Sequence, residues 1–366
     1  MSDDDARARL QDGRVWRDFC RALERAGETI LRGDAAALDA LDRAEGFRYL
    51  SRLARLGLES FVEFDDPEHP VLFRPAHETI KLGADNPDNF YQKASISGAQ
   101  RYRLRGTRGS VHYLGFGTYY GDYGRSGRRG QSGYLEAKDL AIGPDGRFEI
   151  ELSCARPPRG NWLPMEPDTS SLIVRQTFRD RARERIAELE IERLDAAGPP
   201  PPLSTERLDA GLRAAAAFVD GTAQLFTGWA EGFRRRPNEL PPFDAATASA
   251  AHGDPHIRYF HGYFELAAEQ ALWIEFVPPR CDYWNFQLNN HWMESLDFRH
   301  HRVDVNQSGA VLEPDGSVRL VVAPRDPGHP NWLDTAGHAR GTMCLRYVRA
   351  ESQPLPRTRV VSLRAG

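Results

Sequence analysis

One stretch of the sequence occurs twice. Residues 143–164 read GPDGRFEIELSCARPPRGNWLP and residues 313–334 read EPDGSVRLVVAPRDPGHPNWLD, and the two align without a gap at an offset of 170. Each copy opens on a Pro-Asp-Gly turn that leads into a strand-like run, and each closes on Asn-Trp-Leu. Because turn residues and apolar residues recur at the same places, the two stretches predict the same backbone.

The similarity extends beyond this stretch in both directions. Residues 171–178 match 342–349 one position later in register, and residues 111–124 match 271–284 at an offset of 160, which aligns Phe116 with Phe276. A match over roughly seventy residues in the same order predicts two related β units from a tandem duplication, rather than a solenoid.

The spacing of apolar residues and the positions of turn residues divide the chain into four parts. Residues 1–62 have apolar residues at helical spacing, and Asp34 is a predicted cap of the second helix. Residues 63–178 and 241–366 contain short alternating runs bounded by turn signals, and residues 179–240 predict helices with a proline-rich linker. This order predicts an α+β fold: two jelly-roll-like antiparallel β-sandwich units, each preceded by helices.

Several helix predictions are specific. The second helix is predicted to bury an apolar face that includes Leu41 and Phe47. Residues 179–195 are predicted to be a helix that ends at a run of four prolines. Ser204 or Thr205 is predicted to cap a long helix after those prolines.

The composition is that of an ordinary globular protein. Of the 366 residues, 40% are hydrophobic and 27% are charged, and the net charge is −4, which gives no electrostatic reason to expect nucleic acid or an anionic membrane as a partner. The four cysteines have no metal-ligand spacing, and the acidic amino terminus lacks the apolar core of a signal peptide. We therefore expect a cytoplasmic protein without nucleic-acid or membrane partners, and the oligomeric state stays open.

Four acid–base groups in the second β unit are the candidates for catalysis. Asp326 and Asp334 flank the repeated turn, where the first copy has no acid, and Glu294 and His291 are competing groups. Paired carboxylates carry out glycoside hydrolysis and other acid–base chemistry. The alternative is that each aspartate caps a turn.

Aromatic and amide side chains in the same unit are the candidates for ligand binding. On a strand, alternate residues share a face, so Tyr283, Asn285 and Gln287 would lie together, opposite an apolar face. Such groups suit a sugar or another polar organic ligand, and the alternative is a core strand with one wet face. The candidate set is Tyr283, Trp284, Asn285, Gln287, Asn290, Trp292, Asn331 and Trp332. The last two recur in the first copy as Asn161 and Trp162, which favours a structural role for them.

A metal site is the third hypothesis. His252, Asp254 and His256 stand at alternate positions, so on a strand their side chains could converge on a divalent metal. The alternative is a polar loop before a strand, in which case no cofactor is expected.

Several motifs in order resemble the domain of unknown function 1214 family. They are HGDPHIRYFHGYFELAAEQALWIEF from residue 252, PPRCDYWNFQLNNHWMESLD from residue 278, Asn306, and DPGHPNWLDTAGHARGTMCLR from residue 326. The stretch KLGADNPDNFYQ from residue 81 resembles longer proteins related to the domain of unknown function 1254 family. The resemblance implies a jelly-roll-like β domain and no agreed reaction.

Two function hypotheses remain. In the first, the chain is an enzyme, a hydrolase or lyase, that acts on a carbohydrate or another polar organic substrate in its second β unit. In the second, it is a non-catalytic protein that binds a small molecule or carbohydrate. An enzyme needs at least two of the candidate ionisable groups at one cavity, whereas a binding protein needs only the amides and aromatic rings there.

Overall fold

The computed structural model describes residues 3–31, 38–124, 127–195 and 198–363. Over these residues the helices are α1 (Asp3–Gln11), α2 (Arg14–Glu28), α3 (Ala40–Leu58), α4 (Thr205–Arg234) and α5 (Ala245–Ala250). The strands of the first β unit are β1 (Asn89–Ser95), β2 (Tyr102–Thr107), β3 (Tyr113–Tyr120), β4 (Gly130–Glu136), β5 (Arg147–Ser153), β6 (Asn161–Pro164), β7 (Ser171–Thr177) and β8 (Glu188–Arg193). Those of the second are β9 (Ile257–Glu265), β10 (Gln270–Phe276), β11 (Tyr283–Leu288), β12 (Asp304–Asn306), β13 (Val318–Ala323), β14 (Trp332–Asp334), β15 (Arg340–Val348) and β16 (Arg357–Ser362).

The two β units have the same strand order. In the first unit the sheets run β1-β7-β3-β4 and β6-β5-β2-β8, and in the second they run β9-β15-β11-β12 and β14-β13-β10-β16. All pairs are antiparallel except β5 with β6 and β13 with β14. One apolar core in each unit contains residues from both of its sheets. The predicted α+β fold of two tandem sandwich units is therefore confirmed.

The pairing register corrects one part of the sequence alignment. Leu104 pairs with Ile150 and Ile274 pairs with Leu320, so β10 corresponds to β2. The counterpart of Phe116 is then Phe286 on β11, at the same offset of 170 as the opening stretch. The predicted offset of 160 is wrong because it aligned strands from different sheets.

Helices α1, α2 and α3 pack against α4. Asp39 caps α3 in a capping box with Asp42, and the predicted cap Asp34 lies outside the described residues. Leu41 and Phe47 are exposed, so the predicted apolar face of α3 is wrong at these positions. Ser204 caps α4 as predicted, by accepting a hydrogen bond from the backbone of Arg207. No helix in the described ranges is long and apolar enough to cross a membrane.

The predicted helix over 179–195 is wrong. Residues Glu188–Arg193 form β8, which pairs along its whole length with β2. Charged residues alternate there with Leu189 and Ile191, which is strand periodicity. The first β unit therefore continues to Arg193 instead of ending at residue 178.

Candidate functional site

A cavity of about 180 Å³, called the central cavity below, lies where the two β units and α4 meet. Its lining comes from α3, α4 and α5, from β1 and β7 of the first unit, from β9 and β15 of the second, and from loops next to them. It contains two arginines, one lysine, two histidines and the rings of Tyr91, Tyr123, Phe218, Phe226, Trp229, Phe243 and Tyr259. The site thus combines cationic groups with aromatic walls.

Equivalent positions of the two repeats face this cavity. Tyr91 on β1 pairs with Arg175 on β7, and Tyr259 on β9 pairs with Arg346 on β15. All four residues line the cavity. Because the two sheets have the same register, the duplication supplies one tyrosine and one arginine from each unit.

Both arginines are buried and bonded to neutral groups. Arg175 donates to Tyr119 Oη at 2.8 Å and to the carbonyl oxygen of His252 at 2.5 Å. Arg346 donates to Gln287 Oε1 at 2.5 Å, to Asn285 Oδ1 at 3.5 Å and to the carbonyl oxygen of Ala84. The side chains that the sequence assigned to ligand binding on β11 therefore position an arginine of the cavity.

Two histidines of the cavity are held neutral by burial. Burial lowers the pKa of His252 to about 4 and that of His261 to about 3. His252 Nε2 and His261 Nδ1 have no hydrogen-bond partner among the described residues. Each ring lies against aromatic neighbours, His252 against Tyr123 and His261 against Phe233. Both imidazoles can therefore accept or donate a hydrogen bond to a bound molecule.

The other charged groups of the cavity have partners. Lys93 Nζ lies 3.0 Å from Asp122 Oδ2. Asp85 accepts hydrogen bonds from the backbone and hydroxyl of Ser295 at 3.0 and 2.8 Å. The remaining cations of the cavity are Arg175 and Arg346. Among the described residues, no carboxylate lies within 4.0 Å of either one.

The predicted polar face of β11 is buried against the first β unit. Tyr283 donates to Asp88 at 2.5 Å, and Asn285 donates to Asn86 at 2.9 Å. Gln287 donates to the carbonyl oxygen of Asp85 at 2.8 Å. Tyr283, Asn285 and Gln287 are buried under the segment before β1 and do not line the central cavity, so this face matches neither the predicted ligand-binding face nor the alternative of a wet face. Trp284, on the opposite face, packs edge-on against Phe276 in the sandwich core.

Residues 289–296 join the second β unit to α3. Asn290 Nδ2 donates to Glu45 at 2.7 Å and to Glu294 at 2.8 Å. Trp292 Nε1 donates to the carbonyl oxygen of Asp42 at 2.7 Å. Arg52 pairs with Glu294 at 2.6 Å, although burial raises the pKa of Glu294. Nearby, His291 Nδ1 lies 2.9 Å from Tyr263 Oη.

A second cavity, of about 150 Å³, lies beside this loop. Asn290 is the predicted site residue that lines it. Its charged groups are already engaged: His338 lies 2.9 Å from Glu45, and Lys81 donates to the carbonyl oxygens of Ser295 and Leu296. It therefore offers a ligand fewer unused groups than the central cavity does.

The two predicted catalytic aspartates do not share a cavity. Asp326 is exposed and accepts a hydrogen bond from the backbone of Gly328 at 2.8 Å. Asp334 lies 2.7 Å from His301 Nδ1 and caps the turn at Ala336. The alternative that each aspartate caps a turn is the one that the geometry matches.

The repeated Asn-Trp pairs are structural in both units. Asn331 bonds the backbone of Val311 and Arg319, as Asn161 bonds that of Ala141 and Glu149. Trp332 Nε1 donates to the carbonyl oxygen of Ala323 and Trp162 Nε1 to that of Ser153. The same bonds at the same positions explain why both copies keep these residues.

The predicted metal ligands do not converge. They lie in turns before β9, and His252 has a φ of 58°, so the alternation expected of a strand does not apply. Asp254 instead accepts hydrogen bonds from Tyr113 at 2.9 Å and Tyr134 at 2.5 Å. Within the described ranges, no group of three or more His, Cys, Asp or Glu side chains could hold a metal ion. Of the three residues, His252 alone lines the central cavity.

Fold and site together define a tandem β-sandwich protein with a cavity at the boundary of its two units. Two parts of the sequence, residues 91–177 and 268–352, match the family described as protein of unknown function (DUF1214), and the chain belongs to this family. The relation to the domain of unknown function 1254 family stays a prediction.

Solved structures share this fold. An uncharacterized protein from Burkholderia cenocepacia is 53% identical over 97% of this chain and 99% of its own, with a TM-score of 0.95. The VPA0106 protein from Vibrio parahaemolyticus is 11% identical over 87% of this chain and 98% of its own, with a TM-score of 0.50, and shows likeness of fold alone. No curated protein sequence matches the chain.

Proposed function

We propose that this protein binds a small organic molecule non-covalently in the central cavity. The observation that carries the proposal is the lining, in which buried cationic and imidazole groups stand beside seven aromatic rings. Ligand sites are mostly apolar hollows with a few polar groups that orient the ligand, and they often lie at boundaries between domains. The central cavity has each of these properties.

The cavity volume limits the size of the ligand. An apolar cavity of about 150 Å³ is sufficient to bind benzene, so the 180 Å³ of the central cavity suits one substituted ring. The aromatic walls favour an apolar body over a hydroxyl-covered one. A small ring compound is therefore a better candidate than the carbohydrate that the sequence suggested.

An acid–base enzyme stays the alternative prediction. It would need two of the predicted groups at one cavity, and Asp326, Asp334, Glu294 and His291 are absent from the described lining of the central cavity. Their hydrogen bonds join turns, α3 and the second β unit, which favours structural roles. A cytoplasmic location likewise stays a prediction.

A screen of small ring compounds tests the proposal. We expect compounds of one substituted ring to raise the thermal midpoint of the wild-type protein. Ala248 lines the cavity, and Ala246 is exposed on the same helix α5. Ala248→Phe should abolish the shift by filling the cavity, while Ala246→Phe should retain it. Equal shifts in both variants would show that the compounds bind elsewhere.

A further inference from the structure

We infer that the ligand is a small aromatic monocarboxylate, whose carboxylate binds to the guanidinium groups of Arg175 and Arg346. This inference rests on the proposed function and specifies the chemistry of the same cavity. The inference follows from the environment of the two arginines, from the charge of the lining and from the aromatic walls.

The two arginines are buried cations that form no direct ion pair in the described part of the protein. Arg175 is 9% exposed and Arg346 is 4% exposed. Against the effect of burial, the charge of Asp254 acts to raise the pKa of Arg175, and that of Arg346 acts to lower the pKa of Asp85 and Asp88, but no described carboxylate lies within 4.0 Å of either arginine. Buried charges are costly unless they are paired, because burial removes their hydration. An anion in the cavity would supply the missing partner for both.

The bonds that these arginines already form leave donors for such an anion. A guanidinium group has five N–H donors in a planar fork that matches a carboxylate. Arg175 uses two hydrogen bonds to described residues and Arg346 uses three. These bonds fix the orientation of each group, so a ligand meets arginines that are already positioned.

The charge of the lining favours an anionic ligand. Lys93, Arg175 and Arg346 are cationic and Asp85 and Asp122 are acidic, so the cations outnumber the acids by one, and burial raises the pKa of Asp85, which favours its neutral form. The two histidines add no charge at neutral pH, since burial lowers the pKa of each far below 7. A carboxylate in the cavity would offset this positive charge.

The apolar part of the ligand is specified by the walls. Phe218, Phe226 and Trp229 lie along α4, and Phe243 follows that helix. Trp229 lies 5.4 Å from Phe226 and 4.9 Å from Phe243, measured between ring centroids, so these rings form one continuous aromatic surface. Aromatic rings pack favourably against such a surface. A ring with one carboxylate, of about the size of benzoate, matches both parts of the cavity.

Titration calorimetry on the wild-type protein tests the inference with matched probes. Benzoate and benzamide have the same shape and differ in charge, and inorganic phosphate has the charge without the ring. We expect benzoate to bind about tenfold to a hundredfold more tightly than benzamide, because hydrogen bonds to a charged group contribute more than neutral ones. Phosphate is expected to bind more weakly than benzoate because it lacks a ring.

Variants then assign the effect to the two arginines. Arg175→Gln and Arg346→Gln should each lower the affinity for benzoate about tenfold or more and leave that for benzamide nearly unchanged. Arg319→Gln is the matched control. Arg319 does not line the cavity and forms an ion pair of 2.7 Å with Glu275, so its substitution should change neither affinity. Circular dichroism identifies a variant that does not fold, and the wild-type comparison does not depend on any variant.

The outcomes separate the two proposals. Equal affinities for benzoate and benzamide, blocked together by Ala248→Phe, would overturn the charge assignment and leave the binding function standing. Phosphate binding as tightly as benzoate would overturn the aromatic assignment. If Ala248→Phe and Ala246→Phe respond alike to every probe, the cavity is not the binding site, and both the proposed function and this inference are contradicted.

Discussion

Tyr283 donates a hydrogen bond of 2.5 Å to Asp88, across the boundary between the two β units. The reciprocal bond joins Tyr113 of the first unit to Asp254 before the second, at 2.9 Å. Tyr113 and Tyr283 occupy equivalent positions at the start of β3 and β11. The duplicated units therefore hold each other through the same pair of residue types.

The bond from Tyr283 is predicted to contribute more to stability than its counterpart. The Asp88 carboxylate would keep only the bond from Asn306 among described residues, whereas the Asp254 carboxylate would keep those from Tyr134 and His256, and Glu136, which also accepts from Tyr113, would keep that from Arg349. We expect Tyr283→Phe to lower the free energy of unfolding in urea by about 1–3 kcal/mol, and Tyr113→Phe to lower it by less.

Tyr347→Phe is the control for these two variants. The hydroxyl group of Tyr347 is buried and has no hydrogen-bond partner among the described residues. The same atom is removed, but no bond is lost, so the free energy of unfolding should stay unchanged or rise by about 1 kcal/mol. A loss in Tyr347→Phe as large as that in Tyr283→Phe would contradict the assignment.

Gly46 is predicted to be required for docking the second β unit on α3. A Cβ atom at Gly46 would lie 2.7 Å from Ile30 and 2.7 Å from Trp292, although alanine is the better helix former. We expect Gly46→Ala to destabilise the protein by about 1–3 kcal/mol in urea unfolding, because it overpacks this contact. Gly228→Ala, in α4 with nothing within 4 Å of its added Cβ, should stabilise by about 0.5–1 kcal/mol. Two effects of the same sign would refute the packing argument.

The fold was predictable because the duplication is still visible in the turns. Pro-Asp-Gly and Asn-Trp recur at one offset, and both copies use them for the same backbone bonds. The local pattern of charged and apolar residues predicted secondary structure less reliably, as β8 illustrates. Glu188–Arg193 has charges that suit an exposed helix as well as an edge strand, and its pairing with β2 decided between them. That pairing joins residues more than eighty positions apart, so a local pattern does not contain it.

The candidate site was less predictable than the fold. Positions that differ between the copies were expected to be functional, and shared positions structural. Arg175 and Arg346 align in the two copies and were overlooked for that reason, although a charged residue within an apolar strand in both was the available signal. At a boundary between duplicated units, equivalent positions face the same cavity. Shared residues can therefore build a site there.

Acid is predicted to destabilise the protein through His252. Burial lowers the pKa of His252 to about 4 in the folded protein, against about 6.5 when unfolded. Because the pKa is lower in the folded protein, protonation of His252 favours the unfolded state. The stability of the folded protein is therefore fully present above about pH 6.5, as far as His252 is concerned, and is lost as the pH falls towards 4. We expect wild type to lose roughly 3 kcal/mol relative to His252→Gln over this range. Urea unfolding at pH 7, 6, 5 and 4 measures it, and parallel profiles of the two proteins would exclude His252 as the cause.

His338 is predicted to give the opposite pH dependence. Burial acts to lower the pKa of His338, but its hydrogen bond and charge interaction with Glu45 outweigh burial and hold this pKa above its usual value. A raised folded pKa means that the stability it contributes is complete below about pH 6.5 and is lost as the pH rises through the folded pKa. The pair joins α3 to the second β unit, so alkaline pH should weaken that contact. The advantage of wild type over Glu45→Gln in urea unfolding should therefore shrink between pH 6 and pH 9. Glu275→Gln, which breaks an ion pair with Arg319 and involves no histidine, should instead keep a constant difference from wild type, and a constant difference for Glu45→Gln as well would rule out titration of His338 as the source.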